Sequence, residues 1–355
     1  MQRGQSLLQY GMETALIGLP GCGKTTIFSA LSGQSVTPGR RAHLAEVAVP
    51  DERVEKLGAL FPTAKRTHAA VLLKDLPIEA GEQGGLPPAA LAEMRTADAL
   101  TVVVRAFLDA SVPHPLQSVD PARDLRRVLD SLAFSDFAAC EGRLERLVKE
   151  GKKDSREYRA LQRISELLEA GQLAGKAALG SEELRLLSGF AFLTAKPLLV
   201  VVNIGESSAD TQAVLKTAEA QGLETFLIHG LQEMEISQLP PEEQRDFLAD
   251  LGLSEPTRER FLHALYRSLG LISFLTASDK EVRAWSLPAG ATALRAAGRI
   301  HSDLEKGFIR AEVIALEELL AEGGFAQARK SGKLRLEGKD YVVRDGEVLT
   351  IRFNI

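Results

Sequence analysis

Gly18-Leu-Pro-Gly-Cys-Gly-Lys-Thr25 fits the spacing G-x-x-x-x-G-K-[ST]. A turn of this kind holds phosphate. Its glycines let the backbone curl until several N–H groups face one anion. A helix that starts at once adds its unpaired amides and the positive end of its dipole. Lys24 is a mobile point charge for the outer phosphates. The Thr25 hydroxyl can complete the shell of a Mg²⁺ ion that keeps several waters. On this reading Pro20, Gly21, Cys22, Gly23, Lys24, Thr25 and Thr26 bind the phosphate tail of a nucleotide. Two further groups are then needed. One is a strand-end carboxylate that holds the metal through water. Asp75, closing Val71-Leu-Leu-Lys-Asp75, fits that role, although an Asp there also caps turns. The other is a base reader. Guanine-specific sites use Asn-Lys-x-Asp, whose Asp accepts both guanine N–H donors, and that tetrapeptide occurs nowhere in the chain. The matching strand end reads Val202-Asn-Ile-Gly-Glu206. Asn203 can pair with the N6/N7 edge of adenine, so the site is expected to prefer adenine or to discriminate weakly; loop capping is its alternative use.

These residues need a scaffold. A short apolar run, residues 15–17, leads into the turn, and Ile27, Phe28, Ala30 and Leu31 recur behind it at helical spacing. Apolar runs at 70–73, 100–104, 197–202 and 225–228 alternate with helical stretches. That pattern reads as a parallel sheet covered on both faces. From about 123 to 188 the text is charged and Leu-rich, with breaks at Gly151-Lys-Lys-Asp-Ser155. An antiparallel helical hairpin is expected there, with Asp154 or Ser155 as an N-cap. Beyond about 270 the texture becomes strand-like at 272–276, 282–287 and 310–315. Tyr341-Val-Val and Val348-Leu-Thr-Ile-Arg-Phe flank Asp345-Gly346, which signals a hairpin.

Composition bounds the alternatives. A length of 355 residues suggests two or three domains. Hydrophobic residues at 45% and charged residues at 26% exclude a disordered or fibrous chain. Lys and Arg number 43 against 48 Asp and Glu, a net charge of -5, so any nucleic-acid contact must come from a local patch. Arg329, Lys330, Lys333, Arg335 and Lys339 are the one such run, and a solvated face is its ordinary explanation. Two cysteines, Cys22 and Cys140, cannot make a disulfide framework. No apolar run approaches the ~20 residues that span a bilayer, and the start has no secretory leader pattern. A cytoplasmic protein with no membrane contact is expected.

The motifs together resemble the YchF-type Obg-like ATPases, over nearly the whole chain. The stretch around Leu16-Ile-Gly-Leu-Pro-Gly-Cys-Gly-Lys-Thr-Thr-Ile-Phe-Ser-Ala-Leu31 is similar to that family's start, with Gly21-Cys22 where an Asn-Val pair is usual. Residues 202–206 resemble its Asn-x-x-Glu base reader. Residues 282–312, with Glu337-Gly-Lys-Asp-Tyr-Val-Val-Arg-Asp-Gly346 and Phe353-Asn-Ile355, resemble its C-terminal TGS domain. The resemblance implies an α/β fold: a Ras-like P-loop NTPase domain (1–122 and 194–271), an inserted α-helical domain (123–193) and a β-grasp TGS domain (272–355). It implies ATP as ligand or substrate, contacted at Asn203, Ile204 and Glu206, with Mg²⁺ at Thr25 and Asp75. It also implies slow hydrolysis and association with the ribosome or RNA through the TGS and helical domains; a monomer is expected, although the sequence does not fix the oligomeric state. The family lacks a catalytic Gln, and a loop His is proposed to orient the attacking water. Arg105-Ala-Phe-Leu-Asp-Ala-Ser-Val-Pro-His114 aligns without gaps, so His114 takes that place.

Two switch elements depart from the family. Asp75-Leu-Pro-Ile78 stands where Asp-x-Ala-Gly is usual, and the glycines come later, at Gly81, Gly84 and Gly85. The first switch, from Thr37 through His43 to Arg53, has no Thr at the metal-binding place. Binding is expected to survive these losses better than turnover. A non-catalytic nucleotide-binding protein and a GTPase are the alternatives. Cys22 is expected to be a small loop residue rather than a reactive thiol, Cys140 a packing residue, Trp285 core and His301 structural.

Overall fold

The computed structural model describes residues 12–354 except 38, 40, 80–84, 241 and 245–255. Gly81, Gly84 and Ile355 therefore lie outside the described residues, as does the N-terminus through residue 11. The chain divides into two compact units, Met12–Ala45 with Leu73–Arg258, and Glu46–Leu72 with the chain from Glu259 onward.

In chain order the elements up to residue 237 are β1 (Glu13–Ile17), α1 (Lys24–Ser32), β2 (His43–Ala48), α2 (Glu52–Gly58), β3 (Lys65–Thr67), β4 (Ala70–Asp75), α3 (Pro88–Met94), β5 (Ala99–Arg105), α4 (Pro121–Lys149), α5 (Arg156–Glu169), α6 (Ser181–Leu187), β6 (Leu198–Ile204), α7 (Gln212–Gln221), β7 (Glu224–His229) and α8 (Gly230–Ser237). One sheet has the order β2-β4-β1-β5-β6-β7, with β1, β5, β6 and β7 parallel. All five expected runs are strands of this sheet. One face packs Ile17, Leu100, Val102 and Val200 against Met94 of α3, Leu125 and Val128 of α4 and Val214 of α7. On the other side of the strands Leu16 is fully buried, as are Ile27 and Phe28 of α1. The chain order reverses around β1, so a crevice opens at the carboxyl ends of its strands, where open α/β sheets bind ligands.

The inserted helical region is one long helix serving two cores. The first half of α4 gives Leu125, Val128, Leu129 and Leu132 to the sheet. Its second half packs Cys140 and Leu147 against Ala160, Leu161, Ile164 and Leu168 of α5. Ser155 caps α5, accepting from the Tyr158 amide at 3.1 Å. At the junction Asp136 is fully buried and accepts four bonds, from Leu193 N, Thr194 N, Thr194 Oγ1 and Arg95 Nη1. A buried carboxylate this well satisfied fixes the helix on the domain.

The second unit contains β8 (Leu271–Ala277), β9 (Glu281–Pro288), β10 (Phe308–Ala315), β11 (Arg335–Glu337) and β12 (Glu347–Phe353). Its sheet runs β11-β10-β12-β8-β9-β3. The sixth strand, β3, comes from residues 65–67 and pairs parallel to β9, so α2 and β3, which lie in the chain between β2 and β4 of the first sheet, belong to the unit of the C-terminal sheet. The hairpin expected around Asp345-Gly346 does not form. The turn is present, with Gly346 at φ 79°, but β12 pairs with β10 and β8, and Val342 makes only an isolated bridge to Thr292. The turn carboxylate is held elsewhere: Asp345 accepts from Ser273 N at 2.8 Å and pairs with Arg53 at 2.8 Å. Trp285 stacks on Phe274 and donates to Thr276, and His301 caps the helix that starts at Ser302. Three residues of the basic run meet carboxylates: Arg329 with Glu312, Lys333 with Glu318, and Arg335 with Glu347. No described helix is long and apolar enough to cross a membrane.

Candidate functional site

The Gly18–Gly23 turn lies between the buried strand β1 and the helix α1. Gly18 and Gly23 take φ of 149° and 89°. A Cβ on Gly23 would sit 2.1 Å from Asn203 Nδ2, and one on Gly18 2.3 Å from the Val103 carbonyl oxygen. Both positions demand glycine sterically as well as conformationally. No side chain caps the start of α1. Its first amides are therefore open donors at the positive end of the helix. The Cys22 amide is turned inward, to the Leu19 carbonyl at 3.3 Å. Lys24 is 8% exposed, and its Nζ rests on the loop's own carbonyls, Gly18 O at 3.1 Å and Leu19 O at 3.4 Å.

The loop opens into a cleft of about 980 Å³. Pro20, Gly21, Gly23, Lys24, Thr25 and Thr26 line its floor, and Asp75 through Glu79 line one side. Thr25 Oγ1 donates to Asp75 Oδ2 at 2.7 Å, which joins the two expected metal-site residues. Burial raises the Asp75 pKa, against the Thr25 hydrogen bond and the Lys24 charge, which lower it. A buried acid that needs a cation, next to a hydroxyl, suits a hard divalent ion that completes its shell from phosphate and water. Among the described residues no group of three or more His, Cys, Asp or Glu could hold a metal by itself.

The other expected residues are placed differently. Asn203 does not line the cleft, and neither do Ile204 and Glu206. The Asn203 side chain, 3% exposed, ties two backbones together: Nδ2 donates to Cys22 O at 3.1 Å and Oδ1 accepts from Gly230 N at 3.1 Å. The amide expected on adenine thus supports the phosphate loop instead. His114 is also outside the cleft lining. Its side chain is 5% exposed, with Nε2 2.8 Å from Asp124 Oδ2 and Nδ1 accepting from Leu116 N at 3.1 Å. The acceptor role of Nδ1 places the proton on Nε2, which donates to Asp124. No ring nitrogen is left for a water. Ile78, at the place of the family's glycine, is buried in the sheet core at 8% exposure, so a hydrophobic anchor stands where a hinge was usual. Thr37 is exposed, and its carbonyl meets His43 Nε2 at 3.0 Å. Gly39 and Arg41 line the cleft instead.

Arg41, Phe107 and Val112 are cleft residues that the sequence reading missed. The two consecutive arginines at 40–41 of the sequence were the available signal for the first. Cys22 is 3% exposed, and burial raises its thiol pKa despite the nearby Lys24, so it is a packing residue of the loop.

Sheet order, phosphate loop and the Thr25–Asp75 pair define a P-loop NTPase-type α/β protein with a helical insertion and a C-terminal β domain. A family profile named YchF-GTPase_C, described as a protein of unknown function (DUF933), matches residues 271–354. The "Ribosome-binding ATPase YchF" of Haemophilus ducreyi is 37% identical, over 97% of this chain and 100% of that protein. The protein of the same name from Bacillus subtilis is 34% identical with the same coverage. The structure of the Schizosaccharomyces pombe YchF GTPase matches with a TM-score of 0.83 at 27% identity, over 97% of this chain and 98% of that one. The chain belongs to the YchF family.

Proposed function

We propose that this chain binds ATP with Mg²⁺ in the P-loop cleft, hydrolyses it slowly and associates with the ribosome as a nucleotide-dependent switch. The observation that carries the reading is the Thr25–Asp75 pair at 2.7 Å beside Lys24, at the mouth of an uncapped helix. The names of the bacterial relatives support ATP and the ribosome. Pro20, Gly21 and Gly23 through Thr26 would hold the phosphates, with Cys22 packed inside the loop, and Thr25 and Asp75 would hold the metal. Bound Mg²⁺ would neutralise phosphate charge. Lys24 would leave the Gly18 and Leu19 carbonyls for the outer phosphates, a short swing of a flexible stem. Hydrolysis is slow on this reading because His114 is fastened to Asp124 and Ile78 is anchored in the core. Those two observations also favour a second reading, a nucleotide-binding protein without turnover.

The test is a titration of purified protein with ATP and with GTP, then phosphate release with and without Mg²⁺. ATP binding and Mg²⁺-dependent turnover, both lost in Lys24→Ala, support the proposal. Tight binding without turnover above background selects the second reading. Preference for GTP overturns the ATP assignment.

A further inference from the structure

The segment after β5 is organised around one buried cation. Arg105, the last residue of β5, is 3% exposed. Its guanidinium donates to three carbonyls of its own loop: Nε to Phe107 O at 3.2 Å, Nη1 to Val112 O at 2.9 Å and Nη2 to Asp109 O at 2.9 Å. It also lies over the Phe107 ring, 4.5 Å from the centroid. The Asp109 carboxylate is engaged elsewhere, since its Oδ1 accepts from both the amide and the hydroxyl of Ser111. These distances thus put the guanidinium on carbonyl oxygens and in no direct contact with a carboxylate among the described residues. A planar fork with five donors can serve three carbonyls at fixed angles, and a lysine ammonium cannot.

What the fork shapes is a wall of the cleft. Phe107 and Val112 line it directly. Pro113 O and Val112 Cγ1 come within 3.1 and 3.4 Å of where a Cβ on Gly21 would stand, so the segment lies against the phosphate loop. Its start is fastened to the strand end beside it, with the Phe107 amide on Asn203 O at 3.0 Å and the Leu108 amide on Ser207 O at 2.9 Å. No strand pairing holds residues 109–113; the guanidinium, the Asp109–Ser111 bonds and the Val112 amide on Asp109 O at 3.3 Å tie them together.

We propose that Arg105 is a positioning residue for the nucleotide: it moulds residues 107–113 into the wall that faces the phosphate loop. The proposal rests on reading the cleft as a nucleotide site. The test compares full-length wild type with Arg105→Lys, Arg105→Met and Val112→Ala, the last trimming the same wall without touching the guanidinium. Two readouts are taken: amide hydrogen exchange across 107–113 without nucleotide, and titration with a fluorescent ATP analogue and Mg²⁺. Both Arg105 variants should exchange faster in the segment and bind roughly 10-fold or more weakly, because charge-assisted bonds to buried carbonyls are lost. Where turnover is measurable, KM should move more than kcat. Val112→Ala should weaken binding while the segment stays protected. Wild-type affinity and protection in Arg105→Lys would overturn the proposal in favour of simple charge. Unchanged affinity in a variant with a loosened segment would overturn the wall's role. If wild type ignores nucleotide while the variants still loosen the segment, the nucleotide reading and the positioning role fall together and only a structural clamp is left.

Discussion

Asn203→Ala separates a base reader from a strut. The side chain closes two hydrogen bonds at 3.1 Å, both to buried backbone, the Cys22 carbonyl and the Gly230 amide. Alanine removes both partners at once. An orphaned buried backbone group costs about 1–3 kcal/mol, so the loss is about 2–6 kcal/mol in total. That is a large share of the ~5–15 kcal/mol that holds an ordinary domain together. Repacking offers little relief, since the side chain is wedged between Gly23 and Gly230, whose added Cβ atoms would lie 2.1 and 2.6 Å from its amide atoms. Urea unfolding without nucleotide reads the stability, and competition of ATP and GTP for the site reads selectivity. The expected result is a clear fall in unfolding free energy, with ATP and GTP weakened by the same factor as the phosphate loop loses its support. Unchanged stability together with an altered ATP-to-GTP ratio would refute this and return Asn203 to the base.

Three further outcomes are expected. Asp75→Asn should raise the melting temperature of the nucleotide-free protein at neutral pH, because burial holds the Asp75 pKa up and its ionised form therefore opposes folding. The sign follows: that penalty is present above the folded-state pKa and fades as pH falls toward the unfolded value, so the gain should shrink in acid, while Mg²⁺ should cease to strengthen nucleotide binding. Neither thiol should react with a disulfide reagent at pH 8 until the protein is unfolded, since burial raises Cys22 and pushes Cys140 up to about 12; a fast native-state reaction at Cys22 would contradict this. Asp124→Ala should raise single-turnover phosphate release if His114 acts after leaving its partner, and His114→Ala should abolish that gain. Equal losses in both variants would make the pair purely structural.

The sheet was legible because its strands are uninterrupted apolar runs, 198–202 being the plainest, and the phosphate loop because its chemistry is local in sequence. What escaped were features set by distant partners. β2, with alternating burial, and the three-residue strands β3 and β11 carry too little pattern to stand out. Asp345-Gly346 reads as a hairpin turn, yet the Asp345 side chain is claimed by Ser273 and Arg53, 72 and 292 residues away. Within the site, Lys24, Thr25 and Asp75 were readable because their residue types match the task. Asn203 was assigned by type to a base, but its partner Cys22 lies 181 residues away, and no spacing rule encodes that. Arg105 gave no signal, because an arginine ending a strand looks like any surface cation until its burial is known.

The excursion of β3 into the C-terminal sheet bears on how deletions of this protein are to be interpreted. Cleaving the chain near residue 270 would not release an intact nucleotide domain. It would strip β3 of β9, its parallel neighbour, and turn the fully buried Val54 and Leu57 of α2 toward water. The stub would then be prone to self-association through a bare strand edge and a greasy helix. A truncated variant that fails in the cell would thus report damaged solubility before it reported any missing task of the removed tail.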